Sequence, residues 1–124
     1  PGLALYDFGD LIRGATSPVA EDEPDTSQVE MRLPMFEAIV EGYLETAASF
    51  LTPLEIDLLP FSAKLISLET GIRFLTDYLE GDKYFRIYRD NHNLDRCKTQ
   101  LALVKSIEDQ EDKMLNFVKK WQHA

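Results

Sequence analysis

Near the start of the chain stands Asp7-Phe8-Gly9, three residues whose order can hold magnesium for phosphoryl transfer. That chemistry also needs a His-Arg-Asp loop ahead of the aspartate, and ahead of that a glycine-rich loop with a lysine. Neither occurs. His92-Asn93-Leu94-Asp95 comes nearest, but it lies downstream, in the wrong order, at the start of a long helix. Helix-end physics offers a second role: Asp7 or Asp10 at a helix start accepts backbone N–H bonds and complements the positive end of the dipole.

Arg73 is the next residue able to recognise a ligand. Glu69 and Asp77 stand four residues to either side of it, so a salt-bridged surface arginine competes with a guanidinium fork aimed at a bound molecule. Tyr84 and Phe85 offer ring faces and a phenol, although aromatic residues in small helical proteins are mostly core. Arg89, His92, Asn93, Asp95 and Arg96 form the densest polar knot, read first as capping and a salt-bridge lattice and second as pocket lining. His92, His123 and Cys97 are too few and too separated for a zinc site. Cys97 falls on an apolar helix side and reads as a small buried residue.

The elements that must carry these groups are helices, because the apolar period is near 3.6 and no alternating run persists. A short first helix is expected with Asp7 as its N-cap, Leu11 and Ile12 as contacts and Gly14 as its end. Residues 15–30, with Glu21-Asp22-Glu23, read as an exposed, mobile acidic loop without the ligand spacing of a calcium loop. A second helix follows Leu33 with Phe36, Ile39, Val40, Tyr43, Leu44 and Ala47 inward. Thr52-Pro53-Leu54-Glu55 is a capping box, and Pro60 should break what it starts. Residues 61–80 continue as a long helix, with Leu65, Leu68, Ile72, Leu75 and Leu79 predicted as its packing side and Gly81 as its stop. After an irregular aromatic stretch at 82–91, Asn93 is expected to cap a last helix over 94–121 carrying Leu94, Cys97, Leu101, Val104, Ile107, Met114, Leu115, Val118 and Trp121.

The chain has 124 residues, 44% of them hydrophobic, and a formal charge of −9. This fits one domain and is too small for a nucleotide lobe plus a substrate lobe. The acidic balance argues against nucleic acid and anionic membrane surfaces. Thr46 to Leu54 is the longest uncharged stretch, far short of the roughly 20 residues of a spanning helix. A single cysteine suits a reducing compartment, with the cytoplasm as the default.

The strings PGLALYDFGDLIR, LTPLEIDLLPFSAKLISLETGIRFLTDYLEGDKYF and RDNHNLDRCKTQ resemble the C-terminal part of the aminoglycoside-phosphotransferase superfamily, most closely its N-acetylhexosamine kinase branch. The resemblance implies an all-α, substrate-side subdomain of a protein-kinase-like fold, whose intact parent uses ATP and magnesium to phosphorylate an N-acetylhexosamine. The His-Gly-Asp-x-x-x-x-Asn and Asp-x-Asp segments would precede Pro1, so the piece alone would hold no catalytic residue or metal ligand. Asp7 and Asp10 would brace the catalytic loop from behind, and Arg73, Tyr84, Arg89 and His92 would face the sugar. Relatives of this branch sometimes carry a mucin-desulfating label, but Cys97-Lys98-Thr99-Gln100 is not the C/S-x-P-x-R pattern of a sulfatase. The alternative is a stand-alone helical interaction domain, with a homodimer through truncation-exposed apolar surface as one form of association.

Overall fold

A computed structural model describes residues 2–121. Its elements are α1 (Gly2–Ala15), a 3-10 turn (Thr26–Gln28), α2 (Leu33–Ala47), α3 (Pro53–Asp57), α4 (Leu59–Leu79) and α5 (His92–Lys119). The fold is all-α among these residues. Pro1 and His123 lie outside them.

α1 differs from expectation at its start. Ala4, Leu5, Phe8 and Ile12 already form an apolar stripe, so the helix runs from Gly2 and encloses Asp7 and Asp10. Neither aspartate is an N-cap; both side chains are exposed. Phe8 is fully buried, with its ring centroid 6.3 Å from that of Phe36 and 5.2 Å from that of Tyr43. Gly9 marks the α1–α4 crossing, where a Cβ would lie 2.5 Å from the Ser62 carbonyl oxygen. Two of the three letters of Asp-Phe-Gly are thus explained by packing.

The next helices follow their punctuation. Pro34 occupies the first turn of α2, which buries Phe36, Val40, Leu44 and Ala47. The Glu55 N–H donates to Thr52 Oγ1 at 3.1 Å, and the Thr52 N–H donates to Glu55 Oε1 at 2.8 Å, completing the capping box of α3. The helix breaks at Leu58, and Pro60 sits in the first turn of α4, where its missing N–H costs nothing.

α4 overturns the predicted packing side. Leu65, Leu68, Ile72, Leu75 and Leu79 are exposed, while Ser62, Ala63, Ile66, Ser67, Gly71, Phe74 and Asp77 are buried. The helix packs most extensively on α5 and next on α1. Small side chains permit that approach: at Gly71 a Cβ would already stand 3.2 Å from Gln100 Cβ.

Gly81 ends the α4 region at φ +94, followed by Asp82 at φ +60. α5 then starts at His92, not after Asn93. Asn91 occupies the cap position in left-handed geometry, and Asn93 is buried inside the first turn. Cys97, Val104, Ile107, Met114 and Val118 are buried as expected, with Leu103 added, whereas Leu101 is exposed.

The segment 15–30 is not uniformly exposed. Thr16 and Val29 are buried, and Thr99 Oγ1 donates to the Glu23 carbonyl at 2.8 Å. Its acidic tip is therefore fastened to α5.

Candidate functional site

Three helices, the 82–91 connection and Glu21 of the 15–30 segment meet around an open cleft of about 370 Å3. α1 contributes Tyr6, Asp10 and Arg13; α4 contributes Thr70, Arg73 and Phe74; the 82–91 connection contributes Phe85, Arg86 and Tyr88; and Arg96 comes from α5. The lining follows from the packing. Gly9 brings α1 close enough for Tyr6 and Asp10 to face α4, and Gly71 does the same for α4 and α5.

The arginines fall into two groups. Arg13 is neutralised by Asp10 and Glu21, each at 3.0 Å. Burial lowers its affinity for a proton, but the two carboxylates outweigh that and raise its pKa. Arg73, Arg86 and Arg96 have no ion pair among the described residues. Each guanidinium instead lies over a ring: Arg73 over Phe85 at 5.8 Å, Arg86 over Tyr88 at 5.7 Å and Arg96 over Phe74 at 5.6 Å. Stacking of this kind orders a guanidinium without cancelling its charge. Arg96 is further fixed by donating from Nη1 to the Arg86 carbonyl at 3.0 Å and to Asn93 Oδ1 at 2.9 Å.

Asp77 is not the partner of Arg73. It accepts the Tyr84 N–H at 2.7 Å, the Phe85 N–H at 3.0 Å and the Asn93 amide at 2.7 Å. Burial pushes its carboxyl up, yet the backbone N–H groups of Tyr84, Phe85 and Lys83, with the Asn93 amide, hold it below the ordinary value. A buried carboxylate on α4 therefore shapes the aromatic connection that presents Phe85 and Arg86.

The remaining candidates separate. Tyr84 lines a shallow neighbouring depression shared with Arg73 and is 74% exposed. Arg89 pairs with Asp95 at 3.1 Å and with Asp22 at 3.7 Å. His92 is buried, and its Nε2 lies 2.8 Å from Asp22 Oδ2. Because His92 Nδ1 accepts the Tyr88 N–H at 3.1 Å, the neutral ring carries its proton on Nε2 and donates it to Asp22. That bond, with the Arg89 charge beside it, holds the Asp22 carboxyl below its ordinary value against the effect of burial. Arg89 and His92 thus form the lattice that fastens the acidic segment, and they line neither cleft.

Asp10 faces the first cleft through its pairing with Arg13, while Asp7 points to solvent. Cys97 is buried, which raises its thiol pKa and leaves it no nucleophile. Among the described residues, no group of three His, Cys, Asp or Glu side chains gathers that would hold a metal ion, and no helix is long and apolar enough to cross a membrane.

Arg13, Glu21 and Thr70 carry no local sequence signal, because they reach the cleft only through the packing of α1 on α4 and of the 15–30 segment on Arg13. Arg86 and Arg96 stand out in the sequence as basic residues within aromatic or polar clusters, but their meeting in one cleft depends on tertiary packing. No family model matches the chain.

Proposed function

We propose that this chain is the substrate-side helical unit of an ATP-dependent N-acetylhexosamine 1-kinase-like phosphotransferase, and that its cleft helps hold the acceptor sugar. One observation carries the reading. The three strings that resemble such kinases supply Tyr6, Asp10 and Arg13, then Thr70, Arg73, Phe74 and Phe85, then Arg96, to a single cleft. In this reading the Arg73 fork bonds sugar hydroxyls or the acetamido carbonyl, with Tyr6 or Tyr84 against a pyranose face. ATP, magnesium and the base that takes the anomeric hydroxyl proton belong to another portion of the protein, so the unit alone transfers nothing. Asp7, outward on α1, is available to brace that portion, and Asp10 orders Arg13.

The test is ATP consumption by the intact protein that carries this chain, with N-acetylglucosamine, N-acetylgalactosamine and unmodified hexoses as acceptors. Turnover should favour the N-acetylated sugars, and Arg73→Ala should raise KM about tenfold, the cost of one charge-assisted contact. Equal inactivity on every sugar overturns the reading.

A second reading, a helical interaction domain, is favoured by the exposed apolar stripe Phe61, Leu65, Leu68, Ile72, Leu75 and Leu79 along α4. At its α1 end the stripe continues into an apolar groove of about 290 Å3 that includes Leu5 and Leu58. A surface of this kind marks association.

A further inference from the structure

In a chain of net charge −9, the cleft between α1, α4 and α5 has the opposite sign. Four arginines face two carboxylates there, leaving an excess of two positive charges. Both carboxylates pair with Arg13, which leaves one negative charge over, so the excess is the three charges of Arg73, Arg86 and Arg96 less that one. A protein with 22 acidic residues has ample means to neutralise three arginines. Among the described residues it gives these three no ion pair and holds each one over an aromatic ring.

A neutral sugar can use one arginine fork for its hydroxyls, but it gives three guanidiniums without ion pairs no countercharge. We infer that the cleft binds a phosphate monoester of a monosaccharide-sized molecule, with Arg73, Arg86 and Arg96 on the phosphate and Tyr6 against the organic body. The arginines come from a helix, an irregular connection and a second helix, so they reach the cleft from three separate elements. A carboxylate is satisfied by one fork, whereas a phosphate dianion offers three terminal oxygens to several. The volume of about 370 Å3 is at the small end of ligand clefts, which suits a monosaccharide phosphate. Longer polyanions would extend over an acidic surface that repels them. Tyr6 is 45% exposed and lines the cleft, which offers its ring to the ligand.

The inference concerns the same cleft and the same Arg73 as the acceptor reading and adds an anionic ligand to it, and ester binding and sugar turnover are read by separate experiments. Calorimetric titration of this chain with N-acetylglucosamine 1-phosphate, N-acetylglucosamine and inorganic phosphate separates the contributions. The ester should bind at least about tenfold more tightly than either the neutral sugar or free phosphate, and added salt should weaken it. Arg73→Gln and Arg86→Gln should each reduce ester affinity about tenfold. Both side chains are exposed and in no ion pair among the described residues, so circular dichroism should be unchanged. Lys64→Gln, which alters the Lys64–Glu111 pair away from the cleft, should leave affinity as it was. Equal affinity for the ester and the neutral sugar overturns the inference, as does equal affinity for the ester and free phosphate. Unchanged ester binding in the Arg73→Gln/Arg86→Gln double variant does so as well. None of these results depends on ATP turnover, so this inference and the kinase reading fail separately.

Discussion

At the scale of single residues, Asp77 organises more of the cleft than any residue that lines it. Its two oxygens accept the N–H groups of Tyr84 and Phe85 and the Asn93 amide, so the connection after Gly81 folds back with Phe85 under Arg73. An Asp77→Asn variant replaces one acceptor oxygen by a donor group and leaves a backbone N–H facing it. The melting temperature at pH 7 should fall by several degrees, and ester binding should weaken along with the displaced Phe85 and Arg86. The acid dependence has a definite sign. Because folding lowers the Asp77 pKa, its stabilisation is present above the ordinary carboxyl value near about 4 and is lost as pH falls through the folded value. Asp22, held low by His92, acts in the same direction. Melting followed by circular dichroism from neutral pH into acid should therefore show a shallower decline for Asp77→Asn than for the parent chain. Equal slopes would mean that the carboxylate is not stabilised by the fold.

At the scale of elements, the glycines of α1 separate packing from propensity. Gly9→Ala sets a Cβ against the Ser62 carbonyl, which cannot move without its helix. The expected loss is about 1–3 kcal/mol in denaturant unfolding, with reduced ester affinity because Tyr6 and Asp10 shift with α1. Gly14→Ala meets nothing within 4 Å and should add about 0.5–1 kcal/mol by removing backbone freedom from the unfolded chain. These helices differ in how much of them the sequence reveals. α2 and α3 are legible because Pro34 and the Thr52–Glu55 box are local signals that need no tertiary partner. The burial side of α4 is not, because both of its sides are rich in apolar residues. Close approach to α1 and α5 selects the side with Ser62, Ala63, Ser67 and Gly71, while the larger leucines remain outside. The site divides similarly. Arg73 stands out from its helical neighbours, but the His92–Asp22 bond joins residues 70 apart, and the role of Asp77 depends on a left-handed turn after it. Asn93, a plausible cap by type, is drawn inward because Asp77 and Asp82 both accept from its amide.

At the scale of the whole molecule, the uncovered stripe on α4 has a regular spacing. Phe61, Leu65, Leu68, Ile72, Leu75 and Leu79 alternate steps of four and three, the seam of a left-handed coiled coil, whose complement is another helix. The order of steps is the same read in either direction. An antiparallel copy therefore meets the seam in register, with Phe61 opposite Leu79, Leu65 opposite Leu75 and Leu68 opposite Ile72, as a two-fold interface requires. Taking roughly 200 Å2 for a large side chain, the exposed fractions leave on the order of 500 Å2 of apolar area per copy, enough for a two-copy contact near the lower limit of specific interfaces. Charge opposes it, since each copy carries −9, so salt should strengthen association by screening. Sedimentation of this chain should show a concentration-dependent dimer that grows with added salt, and Leu68→Glu/Ile72→Glu should abolish it while leaving helicity and ester binding intact. A parent chain that stays monomeric at every concentration and salt level would remove the self-association reading. The seam would then call for a partner other than a second copy of this chain.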